Sequence, residues 1–153
     1  MKIRLATKED CHTLMQFIGA KAEFDRSMKG FDGEISTNIE KIEMTMFGER
    51  PFAEALLFEG HGQTQGFALY HFRYSSFQGA PSIWLDDLYV VSEYRSNGVG
   101  EALMKAVKER SEVLGCTHLA WTASPINYKA HAFYERIGAE VDRMEGERPF
   151  YRW

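Results

Sequence analysis

One run constrains this chain more than any other: Trp84-Leu-Asp-Asp-Leu-Tyr-Val-Val-Ser-Glu-Tyr-Arg-Ser-Asn-Gly-Val-Gly-Glu-Ala-Leu103. Its first half reads as a buried strand. A short turn follows, ending in Arg95-x-x-Gly98-x-Gly100, and then a long amphipathic helix. Glycines at a strand-to-helix turn let a ligand come close to the backbone, because no Cβ stands in the way. The first N–H groups of a helix lack intrahelical acceptors and lie at the positive end of its dipole, which makes an anion site. The expected ligand is a phosphorylated cofactor. The dinucleotide fingerprint Gly-x-Gly-x-x-Gly is not met, since Leu103 stands where its third glycine belongs. The Gly-Lys-Ser/Thr ending of the NTPase phosphate loop is absent as well.

The whole-chain quantities narrow the class. A length of 153 residues predicts one domain, 1–153, and 44% apolar residues are ordinary for a globular core. The net charge of −4 argues against nucleic acid, whose phosphates require a basic footprint, and is compatible with a cationic small substrate. Cys11 and Cys116 have neither metal nor redox spacing, so both read as reduced thiols of a cytoplasmic protein. The five histidines are scattered, and no metal is assigned. No apolar stretch approaches the ~20 residues of a membrane span, and Met1-Lys-Ile-Arg-Leu-Ala6 reads as a short strand rather than a signal peptide.

Periodicity and breakers order the elements. Lys2–Ala6 is a strand, and Thr7-x-x-Asp10 resembles a capping box before a helix with Leu14, Met15, Phe17, Ile18 and Ala22 on one face. Glu23–Gly33 reads as a polar loop. Thr37-x-x-Glu40 reads as a second box, starting a helix through Met46. Phe52–Glu59 and Gly66–Tyr74 form a hairpin around Gly60–Gln65, and Ser82–Val91 is the motif strand. A helix over Val99–Leu114 stops at Gly115, Cys116–Ala123 is a strand, and Asn127–Ile137 is a helix stopped by Gly138. Ala139–Met144 and Phe150–Trp153 close the chain as strands. This order predicts an α/β (α+β) layer structure on one sheet.

The turn Arg95-x-x-Gly98-x-Gly100, after a strand carrying acids, resembles the acetyl-CoA pyrophosphate loop of the GNAT N-acetyltransferase superfamily. Other segments resemble its spermidine/spermine (diamine) branch: Arg4-Leu-Ala-Thr-Lys-Glu-Asp-Cys11, Gly48-Glu-Arg-Pro-Phe52, Gly66-Phe-Ala-Leu-Tyr70, Trp84-Leu-Asp-Asp-Leu-Tyr-Val90, and Asn127 with Ala132-Phe-Tyr-Glu-Arg-Ile-Gly-Ala139. The resemblance implies a GNAT-like fold, a mixed and mainly antiparallel sheet of six to seven strands flanked by about four helices. It also implies direct transfer of an acetyl group from acetyl-CoA to an amine. The acceptor it suggests is a di- or polyamine or a lysine-like amino acid. The other enzymatic reading is a protein or peptide acetyltransferase, and the reading of another class is a non-catalytic acyl-CoA sensor. A homodimer is also implied. The aromatic end Phe150-Tyr-Arg-Trp153 suits either a partner contact or a core strand.

The resemblance assigns the residues. The N–H groups of Asn97, Gly98, Val99 and Gly100 would hold the pyrophosphate, with Arg95 nearby as a cation. The pantetheine arm would add along Leu88, Tyr89, Val90 and Val91 as an extra strand. An alkylammonium has a pKa near ~10.4, so the acceptor needs a base, direct or through water. Asp86 is expected as that base or as the ammonium anchor, with Asp87 in support. Strict alternation would put the two on opposite faces. The family usually has Glu at the first position, so the shorter Asp86 favours a contact through water. Tyr134 matches the tyrosine that protonates the leaving thiolate. Asn127 is expected to bind the cofactor or to cap its helix. Phe24 and Asp25 match a Tyr-Glu pair lining the amine channel, within a loop also carrying Glu23, Asp32 and Glu34.

Overall fold

The computed structural model describes all residues, 1–153. Seven strands form one sheet: β1 (Lys2–Leu5), β2 (Glu54–Gly60), β3 (Gln63–Ser75), β4 (Ala80–Val90), β5 (Leu119–Thr122), β6 (Glu140–Glu145) and β7 (Arg148–Arg152). Their spatial order is β1-β2-β3-β4-β5-β7-β6. Every neighbouring pair is antiparallel except β4 and β5. Four helices cover it: α1 (Cys11–Ser27), α2 (Ile39–Met46), α3 (Val99–Val113) and α4 (Tyr128–Arg136). Strand count, helix count and mixed sheet follow the expectation.

The helices divide the core into two layers, one on each face of the sheet. On one face α1 and α2 bury Leu14, Phe17, Ile42 and Met46 against Leu57, Phe67 and Leu69. On the other, α3 and α4 bury Leu103, Met104, Val107 and Tyr134 against Tyr70, Ile83, Leu85, Trp121 and Tyr151. With both faces covered, Ala55–Phe58 and Phe67–Tyr70 are unbroken buried runs rather than alternating ones.

Several boundaries moved, each for a local reason. The segment read as a loop from Glu23 is helical through Ser27, because Lys21 and Asp25 pair at i,i+4 and Arg26 pairs with Glu23 at i,i+3. The cap of α2 is Asn38, whose Oδ1 accepts from Lys41 N–H at 2.8 Å, and not Thr37. The β2–β3 connection is a two-residue turn at His61-Gly62, with φ of 53° and 73°, instead of a six-residue one. Strand β5 is shorter than expected and starts only at Leu119. The C-terminal strand is a core strand: Tyr151 is buried beside Trp121, and Lys108 lies over the Trp153 ring at 4.1 Å.

Two features of β4 shape the site. It pairs with β5 only at Ile83↔Leu119 and Trp84↔Ala120, after which the strands diverge and the β4 edge from Leu85 to Val90 is free on that side. It also bulges. Leu69 pairs with Asp87 and Tyr70 with Leu85, which leaves Asp86 as the extra residue.

Candidate active site

The divergence of β4 and β5 opens a cleft of about 1320 Å³, walled by the end of α1, the free half of β4, the start of α3, the β5–α4 connection and α4 itself. It passes between the two helical layers, so a molecule lying in it reaches both faces of the sheet.

At its α3 end the turn has the form the sequence demanded. Gly98 has φ of +82°, a left-handed conformation that side chains resist. The first backbone bond of the helix runs from Ala102 N–H to Gly98 O at 3.0 Å, so the N–H groups from Gly98 to Glu101 have no main-chain acceptor. Gly100 is different. Its φ is ordinary, and a Cβ there would meet Phe133 at 3.6 Å and Val90 at 3.8 Å, which is normal contact. Neither strain nor packing demands glycine at 100, and its bare backbone leaves room for a ligand to approach. This cradle fits the pyrophosphate of acetyl-CoA. Arg95 lines the same cleft: its Nε donates to the Val90 carbonyl at 2.8 Å, and its guanidinium covers the rings of Phe24 and Tyr89, both at 5.3 Å. Asn97 donates from its side chain to Arg95 O at 2.9 Å, bracing the turn.

Along the free half of β4, Leu88 and Val90 pack toward the α3 layer and Tyr89 toward α1. The bulge decides the fate of the two aspartates. It shifts the phase of the strand, so Leu85 and Leu88 end on the same face. Asp86 is exposed and lines the cleft. Asp87 turns inward toward Lys21 and Asp25 on the other face. Burial above all, with the charges of Asp86 and Asp25 adding and Lys21 opposing, pushes its carboxyl up to about 7. The expected separation of the pair is present, produced by a bulge rather than by alternation.

Tyr134 projects from α4 into the cleft wall. Its ring packs against Trp121 at 5.1 Å and Tyr151 at 5.0 Å. Burial raises its pKa, with Tyr151 and Asp25 adding to the effect, so the phenol keeps its proton at neutral pH. Asn127 caps α4, its Oδ1 accepting from Ala130 N–H at 3.2 Å, while also lining the cleft. Phe24 and Asp25 line it from the last turns of α1, and Asp25 accepts from Lys21 Nζ at 2.5 Å. Glu23, Asp32 and Glu34 are not on its wall.

Among the wall residues without a sequence assignment, four bear on the chemistry. Lys21 was within reach of sequence reasoning, since Lys21-x-x-x-Asp25 is a helical ion-pair spacing. Trp121, whose buried indole N–H has no hydrogen-bond partner, looked like an ordinary strand aromatic. Ser124 and Arg148 come from separate connections and carried no local signal.

With this geometry in view, the relatives are informative. The sequence pattern of the acetyltransferase (GNAT) family matches residues 23–139. Thialysine N-epsilon-acetyltransferase of Mus musculus is 32% identical over 154 residues, an alignment covering 95% of this chain and 87% of that protein. Spermidine/spermine N(1)-acetyltransferase-like protein 1 of Homo sapiens is 25% identical over 139 residues, covering 83% of this chain and 19% of that protein. The crystal structure of a ribosomal-protein-alanine N-acetyltransferase from Brucella melitensis biovar Abortus 2308 superposes with a TM-score of 0.74 at 20% identity. It covers 95% of this chain and 97% of that one, a likeness of fold. The chain belongs to the GNAT acetyltransferase family and is an N-acetyltransferase.

Proposed function

We propose that the protein moves the acetyl group of acetyl-CoA to the primary amine of a small cationic acceptor, a di- or polyamine or a lysine-like amino acid. The observation that carries this reading is a single cleft with an acid-bearing wall. Asp86 and the protonated Tyr134 share it with an anion cradle and a free strand edge. The thialysine and spermidine/spermine relatives support an alkylamine acceptor.

Each residue then has a task. The N–H groups of Asn97, Gly98, Val99 and Gly100 hold the pyrophosphate. The edge of Leu88, Tyr89 and Val90 aligns the pantetheine by strand addition, with Asn127 at its far side. Bound acetyl-CoA supplies an acetyl group activated as a thioester. Phe24 and Asp25 receive the acceptor, and Asp86 takes its ammonium proton, directly or through one water. Asp87 lies behind Asp86, its own carboxyl held above the usual range by burial and by the Asp86 charge. The amine nitrogen bonds to the acetyl carbon as the carbon–sulfur bond breaks. Tyr134 gives its proton to the departing sulfur, and the second proton that the nitrogen sheds on becoming an amide returns to the Tyr134 phenolate through water.

Thiol release from acetyl-CoA, followed over spermidine, putrescine, lysine, thialysine, an aminoglycoside and a histone-tail peptide, tests the reading. Turnover on a small alkylamine supports it. Turnover on the peptide alone replaces it with a protein acetyltransferase, and acetyl-CoA binding with no turnover replaces it with a sensor. In the same assay Asp86→Asn is expected to lower kcat roughly 100-fold with unchanged acetyl-CoA affinity. An unaltered rate removes Asp86 from proton transfer. We also propose a homodimer; the sheet edge β6, with Val141 and Met144 half exposed, is open to a partner. Sedimentation at micromolar concentration decides it.

A further inference from the structure

The acids of the cleft account for its affinity for an ammonium. They do not account for Arg148. This residue starts β7 and reaches the cleft wall, where β5, the β5–α4 connection and the turn after α1 meet. Its Nη1 donates to Thr122 Oγ1 over a long 3.4 Å, while that hydroxyl gives its own proton to Pro149 O at 2.8 Å. Its Nη2 lies 3.8 Å from the place where a Cβ of Gly30 would stand. Every other ion pair of the molecule leaves it out: no carboxylate lies within 4 Å of it. A guanidinium carries five donors in a planar fork, so most of Arg148 is uncommitted.

The wall around it is built rather than loose. Ser124 Oγ donates to Met28 O at 2.9 Å, and Gly30 N–H donates to Asp25 O at 2.9 Å, tying the end of α1 to the β5–α4 connection beside the arginine. An unpaired cation held on the wall of a site for cationic acceptors is costly unless the acceptor also brings a negative charge. Lys21 does not play this part, because Asp25 already neutralises it.

We infer that Arg148 binds the carboxylate of the acceptor, so that the preferred substrate is an amino acid with a side-chain amine rather than a polyamine. This deepens the function proposed above and rests on it. The acceptor is held at two ends of opposite sign. Its ammonium lies against Asp86, and its carboxylate takes the fork of Arg148 in a bidentate, charge-assisted pair. A polyamine offers only cations and meets repulsion at Arg148. Discrimination therefore has an attractive and a repulsive part in one residue.

Lysine and cadaverine differ only by the carboxylate, which makes them the test pair. The wild-type protein is expected to favour lysine over cadaverine in kcat/KM by about tenfold or more, with the difference mainly in KM. Arg148→Gln is expected to lower lysine kcat/KM about tenfold or more and to raise that of cadaverine, collapsing or reversing the ratio. Arg148→Lys keeps the charge without the fork and should restore part of it. An equal fall for both acceptors means a structural role only and overturns the inference, as does a wild-type preference for cadaverine. Calorimetric titration of lysine and cadaverine into the CoA-loaded protein separates the two proposals. Arg148-dependent binding of lysine without acetylation upholds this inference and sinks the transferase reading for that acceptor. Acetylation of cadaverine with no response to lysine does the reverse.

Discussion

The two ends of β4 are one strand with two fates. From Ala80 to Trp84 it is flanked by β3 on one side and meets β5 on the other, and the Trp84 ring packs with the Arg73 guanidinium at 4.0 Å and the Phe150 ring at 6.3 Å. From Leu85 to Val90 the β5 side is empty, one residue bulges out, and a carboxyl is buried without a direct cation partner. The first end is paired on both sides at Ile83 and Trp84. The second leaves groups unsatisfied: a free edge, a helix start without acceptors, a displaced proton affinity. The lesson is that a site can be located by where a well-packed element stops meeting its own requirements.

The comparison can be sharpened by mutations at the open end and broken by one at the closed end. The largest expected effect is at Tyr134. Tyr134→Phe keeps the ring between Trp121 and Tyr151 and removes only the proton, so kcat should fall roughly 10²- to 10⁴-fold with Tm within a degree or two. Normal turnover would sink the general-acid role.

The next is at Asp87. Its folded pKa, about 7, lies above the ordinary 3.8, so the folded state holds the proton more tightly than the unfolded chain. Below about pH 4 both states are protonated and the group is neutral to stability. As pH rises from about 4 through about 7 the folded state loses ground, by up to ~4 kcal/mol at the end of that window. Asp87→Asn should therefore be little different from wild type at pH 4 and clearly more stable at pH 8. Denaturant melts at the two pH values check this; a gap that does not grow with pH contradicts it.

Gly100→Ala is smaller and more selective. The new methyl fits between Phe133 and Val90, and alanine favours the helix by about 0.5–1 kcal/mol, so stability should hold or rise. Acetyl-CoA affinity should fall roughly tenfold, about 1.4 kcal/mol. The smallest effect belongs to the closed end. Arg73→Ala removes the cation over Trp84 and should cost about 0.5–1 kcal/mol in a urea melt, with kcat and both KM values unchanged. A loss of turnover there would erase the distinction between the ends.

Much of this was legible in residue order. Alternation and breakers located the hairpin, the motif strand, α3 with Gly115 at φ +73° after it, and α4 with Asn127 as its cap. The positive φ of Gly98 follows from a strand having to turn sharply into a helix. The extension of α1 past Glu23 was missed because polar residues were read as loop, although their ion-pair spacing was helical. The capping of α2 slipped by one residue because Thr37 and Asn38 are both competent caps.

Chain order by itself determined what depends on neighbours a few residues apart: helix and strand periods, the glycine turn, the caps, and the adjacency of two acids. Only the tertiary structure decided what depends on distant segments arriving together. The bulge that sends Asp86 into the cleft and Asp87 behind it exists because β3 pairs in a shifted register. The rise in the Asp87 pKa requires burial under α1. The free edge exists because β5 leaves β4 after Trp84. Arg148 meets Thr122 and Gly30 only when β7, β5 and the turn after α1 converge. Local preference is written in short-range sterics and hydrogen bonds. Desolvation and charge pairing are properties of the packed whole, and no window of sequence contains them.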